Sequence, residues 1–107
     1  LGIVAEWLSD GLESRSLDTR PTIADFGQMC EIEAAFPATI HLIAKHEDNF
    51  KKALIANVMA GGDSASRGML TGMVLGAYHG MAAIPEPWLD GLNSKDRINA
   101  CLSALTI

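Results

Sequence analysis

One carboxylate and two hydroxyls stand together in Gly61-Gly62-Asp63-Ser64-Ala65-Ser66-Arg67-Gly68. Such side chains are hard oxygen ligands, suited to Mg²⁺ or Ca²⁺. A helix that starts here adds backbone N–H groups and the positive end of its dipole, which favour an ion or a phosphate. The same residues also suit a plain turn, in which a helix ends at the glycine pair and an acid caps the next one. One carboxylate cannot hold a catalytic divalent ion alone. The ion reading therefore requires partner acids from elsewhere.

The elements around this stretch must hold it still. Glycines recur every fourth residue at Gly68, Gly72, Gly76 and Gly80. On a helix such positions share one face, leaving a groove without side chains that a second helix can approach closely. Each interior glycine costs roughly 1 kcal/mol of helix propensity relative to alanine, so tight packing must offset them. The preceding helix is expected over Asn49–Ala60, with Asp48 as its N-cap and Phe50, Ala53, Leu54, Ala56, Asn57 and Val58 on a wide apolar face. Asp63 or Ser64 caps the glycine helix, which stops before Pro85.

Elsewhere the apolar spacing predicts a helix over Ile3–Leu12 ended by Asp10-Gly11, a polar loop over Glu13–Pro21 and a short helix over Thr22–Met29 with Ile23 and Phe26 inward. Gln28–Ala35 is ambiguous. Pro37 fits the first turn of a helix running to Lys45, and Pro85-Glu86-Pro87-Trp88-Leu89 reads as a helical turn. A last helix follows Asn93 or Ser94, through Ile98, Cys101, Leu102 and Leu105. No stretch alternates with period two, so the fold class is all-α.

A chain of 107 residues makes one small domain, not two. Its apolar fraction of 49% is high and its charged fraction of 20% low, which predicts surface covered by the rest of its own domain or by a larger complex. Net charge is −5 with no basic cluster of more than two residues in sequence, which argues against a nucleic-acid partner. The apolar run from Gly68 to Ile84 is too short for a transmembrane span and contains His79. Cys30 and Cys101 lie far apart without metal spacing and are expected as buried thiols. Met29, Met59, Met69, Met73 and Met81 are expected to fill core gaps, Trp88 to plug the core, Tyr78 to pack with its hydroxyl bonded, and His79 to line core or cleft. His41 and His46 show no ligand geometry with any acid. The chain begins at Leu1 without an initiator methionine or visible signal peptide, so either a piece of a longer chain or one whose start is not seen is expected. Its compartment is unknown, a soluble intracellular or organellar one being the expectation.

Gly61-Gly62-Asp63-x-x-Ser66-x-Gly68, with Gly72, Gly76-Ala77-Tyr78-His79-Gly80 and Ile84-Pro85-x-x-Trp88-Leu89, resembles the C-terminal signature of the ADP-ribosylglycohydrolase superfamily. This is the all-helical group that includes the dinitrogenase-reductase-activating glycohydrolase and the J1-type crystallins. Gly27-Gln28-x-Cys30, Glu33-x-x-Phe36-Pro37-Ala38 and Phe50-x-x-Ala53 agree, so the resemblance covers about Ile23 to Leu92. It implies that residues 1–107 are the C-terminal portion of one orthogonal helical domain with a two-magnesium cleft. The implied activity is hydrolysis of the glycosidic bond of ADP-ribose, with an ADP-ribosylated protein as partner.

By position, Asp63 matches the first acid of the family loop Gly-Gly-Asp-x-Asp-Thr and Ser66 its threonine, which makes them the implied metal ligands. Ala65 stands where the second acid belongs. The remaining ligands belong to N-terminal motifs that this chain does not contain. The loop over Gly27–Cys30 lies where relatives contact substrate ribose, so Met29 and Cys30 are the implied substrate contacts. Losing a carboxylate removes charge and oxygen from a hard-cation site, and Arg67, if it points inward, neutralises Asp63 and repels Mg²⁺. Weakened magnesium occupancy is expected. Two functions follow: a magnesium-dependent hydrolase, or a non-catalytic structural or complex-forming subunit on the same scaffold.

Overall fold

The computed structural model describes residues 2–105; Leu1, Thr106 and Ile107, the ends of the span read above as one domain, lie outside them. The described residues form α1 (Gly2–Glu13), a 3-10 turn (Ser14–Ser16), α2 (Thr19–Phe26), α3 (Ile32–Lys45), α4 (Phe50–Ala60), α5 (Ser64–His79), a second 3-10 turn (Met81–Ala83), α6 (Glu86–Asp90) and α7 (Lys95–Ser103), with no strand among them. The all-α expectation holds.

Helix α3 is the hub, packed against α1, α2, α4 and α5. Ala34, Ala38 and Leu42 recur every fourth residue on its buried stripe. That stripe runs straight through Pro37, because Glu31 caps the helix and its carbonyl accepts from Ala34 and Ala35 N–H. Pro37 therefore lies in the second turn, not the first as its ring chemistry suggested. Helix α1 likewise runs through Asp10-Gly11 to Glu13. A Cβ on Gly11 would lie 2.6 Å from Ile40 Cβ and 2.8 Å from the Pro37 carbonyl, so the glycine is there to let α1 and α3 touch, and the helix continues past it. Trp7 of α1 meets Phe36 of α3 across the same interface, ring centroids 6.2 Å apart. The supposed polar loop over Glu13–Pro21 is a 3-10 turn and the first turn of α2.

A buried polar chain locks these N-terminal helices to α3. Ser14 Oγ donates to the Gly11 carbonyl (2.8 Å), which makes it the acceptor from His41 Nδ1 at 2.8 Å. His41 Nε2 is then the acceptor from Thr19 Oγ1 at 3.0 Å, and His46 Nε2 reaches the same hydroxyl at 3.4 Å. His41 is fully buried. Burial, then the positive fields of Lys45 and His46, lowers its pKa to about 4 against the opposing bond to Ser14, so the ring is neutral at pH 7.

Two small apolar clusters make the core: Ile23, Ala38, Leu42 and Ala60 flanked by Phe26 and Ala56, and Phe50, Ala53 and Leu75 flanked by Ile43, Leu54, Ala83 and Ile84. Much apolar surface lies outside them. All five methionines are 58–65% exposed, so they are not core filler, and Ile55, Val58, Leu70 and Val74 are exposed as well. Trp88 is partly exposed beside Leu54, Ile55, Val58 and Met59, and Tyr78 is 76% exposed with its ring edge against His79, so neither is buried as expected. Cys30 and Cys101 are free and exposed, not buried. The radius of gyration, 14.9 Å, exceeds the roughly 13 Å of a compact chain of this size. No helix among the described residues is long and apolar enough to cross a membrane.

Candidate functional site

Helices α4 and α5 form an antiparallel pair whose register the glycines set. A Cβ on Gly68 would face Asn57, one on Gly72 Leu54 and one on Gly76 Phe50. Only the first is tight, at 2.9 Å from Asn57 Nδ2; the others, at 3.9 and 3.7 Å, have ordinary room. Gly80 faces open space and ends the helix at φ +83°, so it is a terminator and no part of the groove. Asn49, one residue after the expected Asp48, caps α4, its side chain accepting from Lys52 N–H at 3.0 Å.

The pair is joined by the Gly61–Asp63 loop. Gly61 and Gly62 take φ of +78° and +70°, in the left-handed region that glycine adopts freely. A Cβ on Gly62 would fall 2.3 Å from both Cβ and the carbonyl oxygen of Gln28, so the Gly27–Cys30 loop lies directly on the glycine pair. Gln28 fastens it there. Its side-chain amide donates to the Ala60 carbonyl at 2.7 Å, and its own carbonyl accepts from Asp63 N–H at 2.7 Å. The implied substrate contacts, Met29 and Cys30, are exposed on this loop. The two candidate regions, distant in sequence, are thus one structural unit.

Asp63 caps α5. Its Oδ1 accepts from Ser66 N–H (3.3 Å) and its Oδ2 from Ser66 Oγ (3.0 Å), so the two implied metal ligands are neighbours, both half-buried. Ala65 is exposed at the same helix start and offers no oxygen. Two donor groups fall well short of the octahedral shell of six that Mg²⁺ demands. No group of three or more His, Cys, Asp or Glu side chains suited to a metal occurs among the described residues. The donors of this chain do not by themselves make a metal centre, and no reaction step through one is derived.

Arg67 is the residue whose role the sequence left open. It is 1% exposed and points inward, but not at Asp63. Its Nε donates to Asn57 Oδ1 at 2.7 Å, Nη2 to the carbonyls of Asn57 (3.2 Å) and Gly61, and Nη1 to the carbonyl of Gln28 at 3.5 Å. Asn57 completes the set by donating Nδ2 to the Ser64 carbonyl at 2.8 Å. The guanidinium closes the C-terminal end of α4, where helix carbonyls lack partners and the dipole is negative. Desolvation pulls its pKa down and the nearby Asp63 charge pushes it up. A signal for this was present. Arg67, Thr71 and Leu75 are the buried stripe of α5, and a cation leading such a stripe marks an internal clamp.

The sequence has relatives that bear on this site. It is 40% identical over 52 residues to an ADP-ribosylarginine hydrolase of Serratia proteamaculans, covering 49% of this chain and 14% of that protein. It is 46% identical over 48 residues to the ADP-ribosyl-[dinitrogen reductase] glycohydrolase of Rhodospirillum rubrum, covering 45% of this chain and 16% of that protein. The chain thus matches less than a fifth of the length of these relatives. No solved structure matches it. The model of the family described as ADP-ribosylglycohydrolase matches residues 4–107, nearly the whole chain. With its all-helical architecture and its glycine–acid loop, the chain belongs to the ADP-ribosylglycohydrolase family.

Proposed function

We propose that the intact protein recognises ADP-ribose in glycosidic linkage to a protein side chain, and that its metal loop is too depleted for efficient hydrolysis. Residues 1–107 would be the C-terminal portion of its catalytic-type domain. The observation that supports this reading is the Asp63 loop, which resembles the family's metal loop and pairs Asp63 with Ser66 while offering only one carboxylate. In a hydrolase of this type, Mg²⁺ would orient the sugar and activate water. Asp63 and Ser66 are the groups of this chain that would contribute to holding it, the other ligands coming from outside these residues.

A second reading, a non-catalytic subunit on the same scaffold, is favoured by Arg67. The clamp through Asn57, Gly61 and Gln28 holds the loop with a protein cation, so its order does not depend on a bound ion. Two assays test the depleted-loop reading. Magnesium titration of the intact protein by calorimetry is expected to give weak binding or none at one position, and ADP-ribose release from ADP-ribosylated arginine or serine peptides is expected to be slow. Ala65→Asp is expected to strengthen Mg²⁺ binding. Two tight magnesium sites in the unaltered protein, with brisk turnover, would refute the depleted-loop reading.

A further inference from the structure

The start of α4 gathers positive charge in an otherwise acidic chain. Arg15 of the first 3-10 turn, Lys45 and His46 at the end of α3, and Asp48, Asn49 and Lys52 around the first turn of α4 line a cavity of about 410 Å³. The single ion pair among the described residues is Lys95–Asp90, so none of the three cations is within salt-bridge reach of a described carboxylate. Asp48 is the one acid on the wall. His46, only 7% exposed, uses Nε2 on Thr19, and no hydrogen bond holds its Nδ1 among the described residues. Of the first four N–H groups of α4, Lys52 and Ala53 are taken by the Asn49 side chain and carbonyl, which leaves those of Phe50 and Lys51 as donors without a carbonyl partner within the helix.

We propose that this pocket binds a small multivalent oxyanion of the phosphate class between Arg15, Lys45 and Lys52. The guanidinium fork and two ammonium groups match tetrahedral oxyanion oxygens. A divalent cation would be repelled, and the polar wall gives an apolar ligand little to cover. The pocket sits at the end of α4 opposite the Asp63 loop, roughly 16 Å away for an 11-residue helix. It stands independently of the function proposed above.

His46 couples this binding to protons. The hydroxyl hydrogen of Thr19 goes to His41, so His46 Nε2 donates to Thr19 and Nδ1 is left to accept a proton. Burial, then Lys45 and Lys52, holds the His46 pKa below its ordinary value, with Asp48 opposing. An anion seated between those lysines cancels their field, so the ring takes up a proton on binding. Lysine, arginine and aspartate ordinarily titrate outside pH 6–8, which leaves His46 as the one histidine among the side chains that line the pocket. His41 behind it titrates at about 4, and His79 is held outside the lining on the Glu47 carbonyl.

The test is calorimetry on the intact protein at constant ionic strength with inorganic pyrophosphate and with sulfate, which does not itself titrate between pH 6 and 8. Saturable pyrophosphate binding is expected, weakened about tenfold by Arg15→Ala and again by Lys52→Ala. Both positions are exposed, and circular dichroism checks that the fold is kept. Sulfate affinity is expected to rise as pH falls from 8 to 6, and His46→Asn is expected to bind at pH 8 without that rise. No saturable binding, or binding unchanged in the double variant, overturns the site. Sulfate binding that is flat across pH 6–8 overturns the part assigned to His46.

Discussion

Removing the Arg67 guanidinium is the sharpest test of how the candidate site is held. Arg67→Met keeps the length and apolar stem of the side chain and deletes every donor. Four acceptors then lose it: Asn57 Oδ1 and the carbonyls of Asn57, Gly61 and Gln28. A hydrogen bond to a charged group is worth about 1.5–3 kcal/mol. Two of these four are strong by distance or place, those to Asn57 Oδ1 and Gly61. The burial cost of the cation disappears with it, which offsets part of the loss. A net destabilisation of about 3 kcal/mol follows, a large share of the 5–15 kcal/mol typical of a domain. Urea unfolding of the intact protein measures it, and amide exchange locates it, with Asp63 and Ser66 N–H losing protection first. Arg67→Lys should recover less than half, because an ammonium cannot span carbonyls from both loops. Chelator should leave the unaltered loop protected. A shift below about 0.5 kcal/mol for Arg67→Met, the size of an ordinary surface change, would refute the clamp.

Other outcomes follow from the same geometry. Gly72→Ala and Gly76→Ala have room for a methyl and should each stabilise by up to about 1 kcal/mol, whereas Gly68→Ala pushes on Asn57 and should destabilise; thermal melts rank the three. Thr71 is buried with its hydroxyl unpartnered among the described residues, so Thr71→Val should stabilise by about 1 kcal/mol in urea unfolding. The folded pKa of His41, about 4, lies below the 6.5 of an unfolded histidine, so its contribution is complete above pH 6.5 and is lost as pH falls from 6.5 through 4. The drop between pH 7.5 and 4.5 should be about 2.5 kcal/mol and should flatten in His41→Gln, read as the slope of urea midpoints against pH.

The helices and caps around Asp63 were legible because their signals are local. A glycine pair, an acid three residues before a serine and a four-residue glycine repeat act through the backbone alone. The interfaces were not. Gly11 reads as a helix stop until α3 is seen to press on it, and Pro37 as a helix start until the Ala34–Ala38–Leu42 stripe is seen to run through it. Burial was misjudged for the methionines, Tyr78, Trp88 and both cysteines, since apolar character does not say what lies on top of a face. The four-residue spacing of Arg67, Thr71 and Leu75 puts Arg67 on the buried face of α5, but its acceptors on the Gln28 and Gly61 loops are not encoded in that spacing.

One atom, the Gln28 carbonyl oxygen, accepts from both Asp63 N–H and Arg67 Nη1. The exposed pair Met29 and Cys30 hangs on the same short loop. A molecule that prefers one placement of that loop therefore shifts the preference of whatever engages Asp63, and the reverse effect has the same free energy by thermodynamic reciprocity. Under the proposed function, a ligand held at Met29 or Cys30 and an ion held at Asp63 would each change the other's affinity by the same factor, through one shared carbonyl.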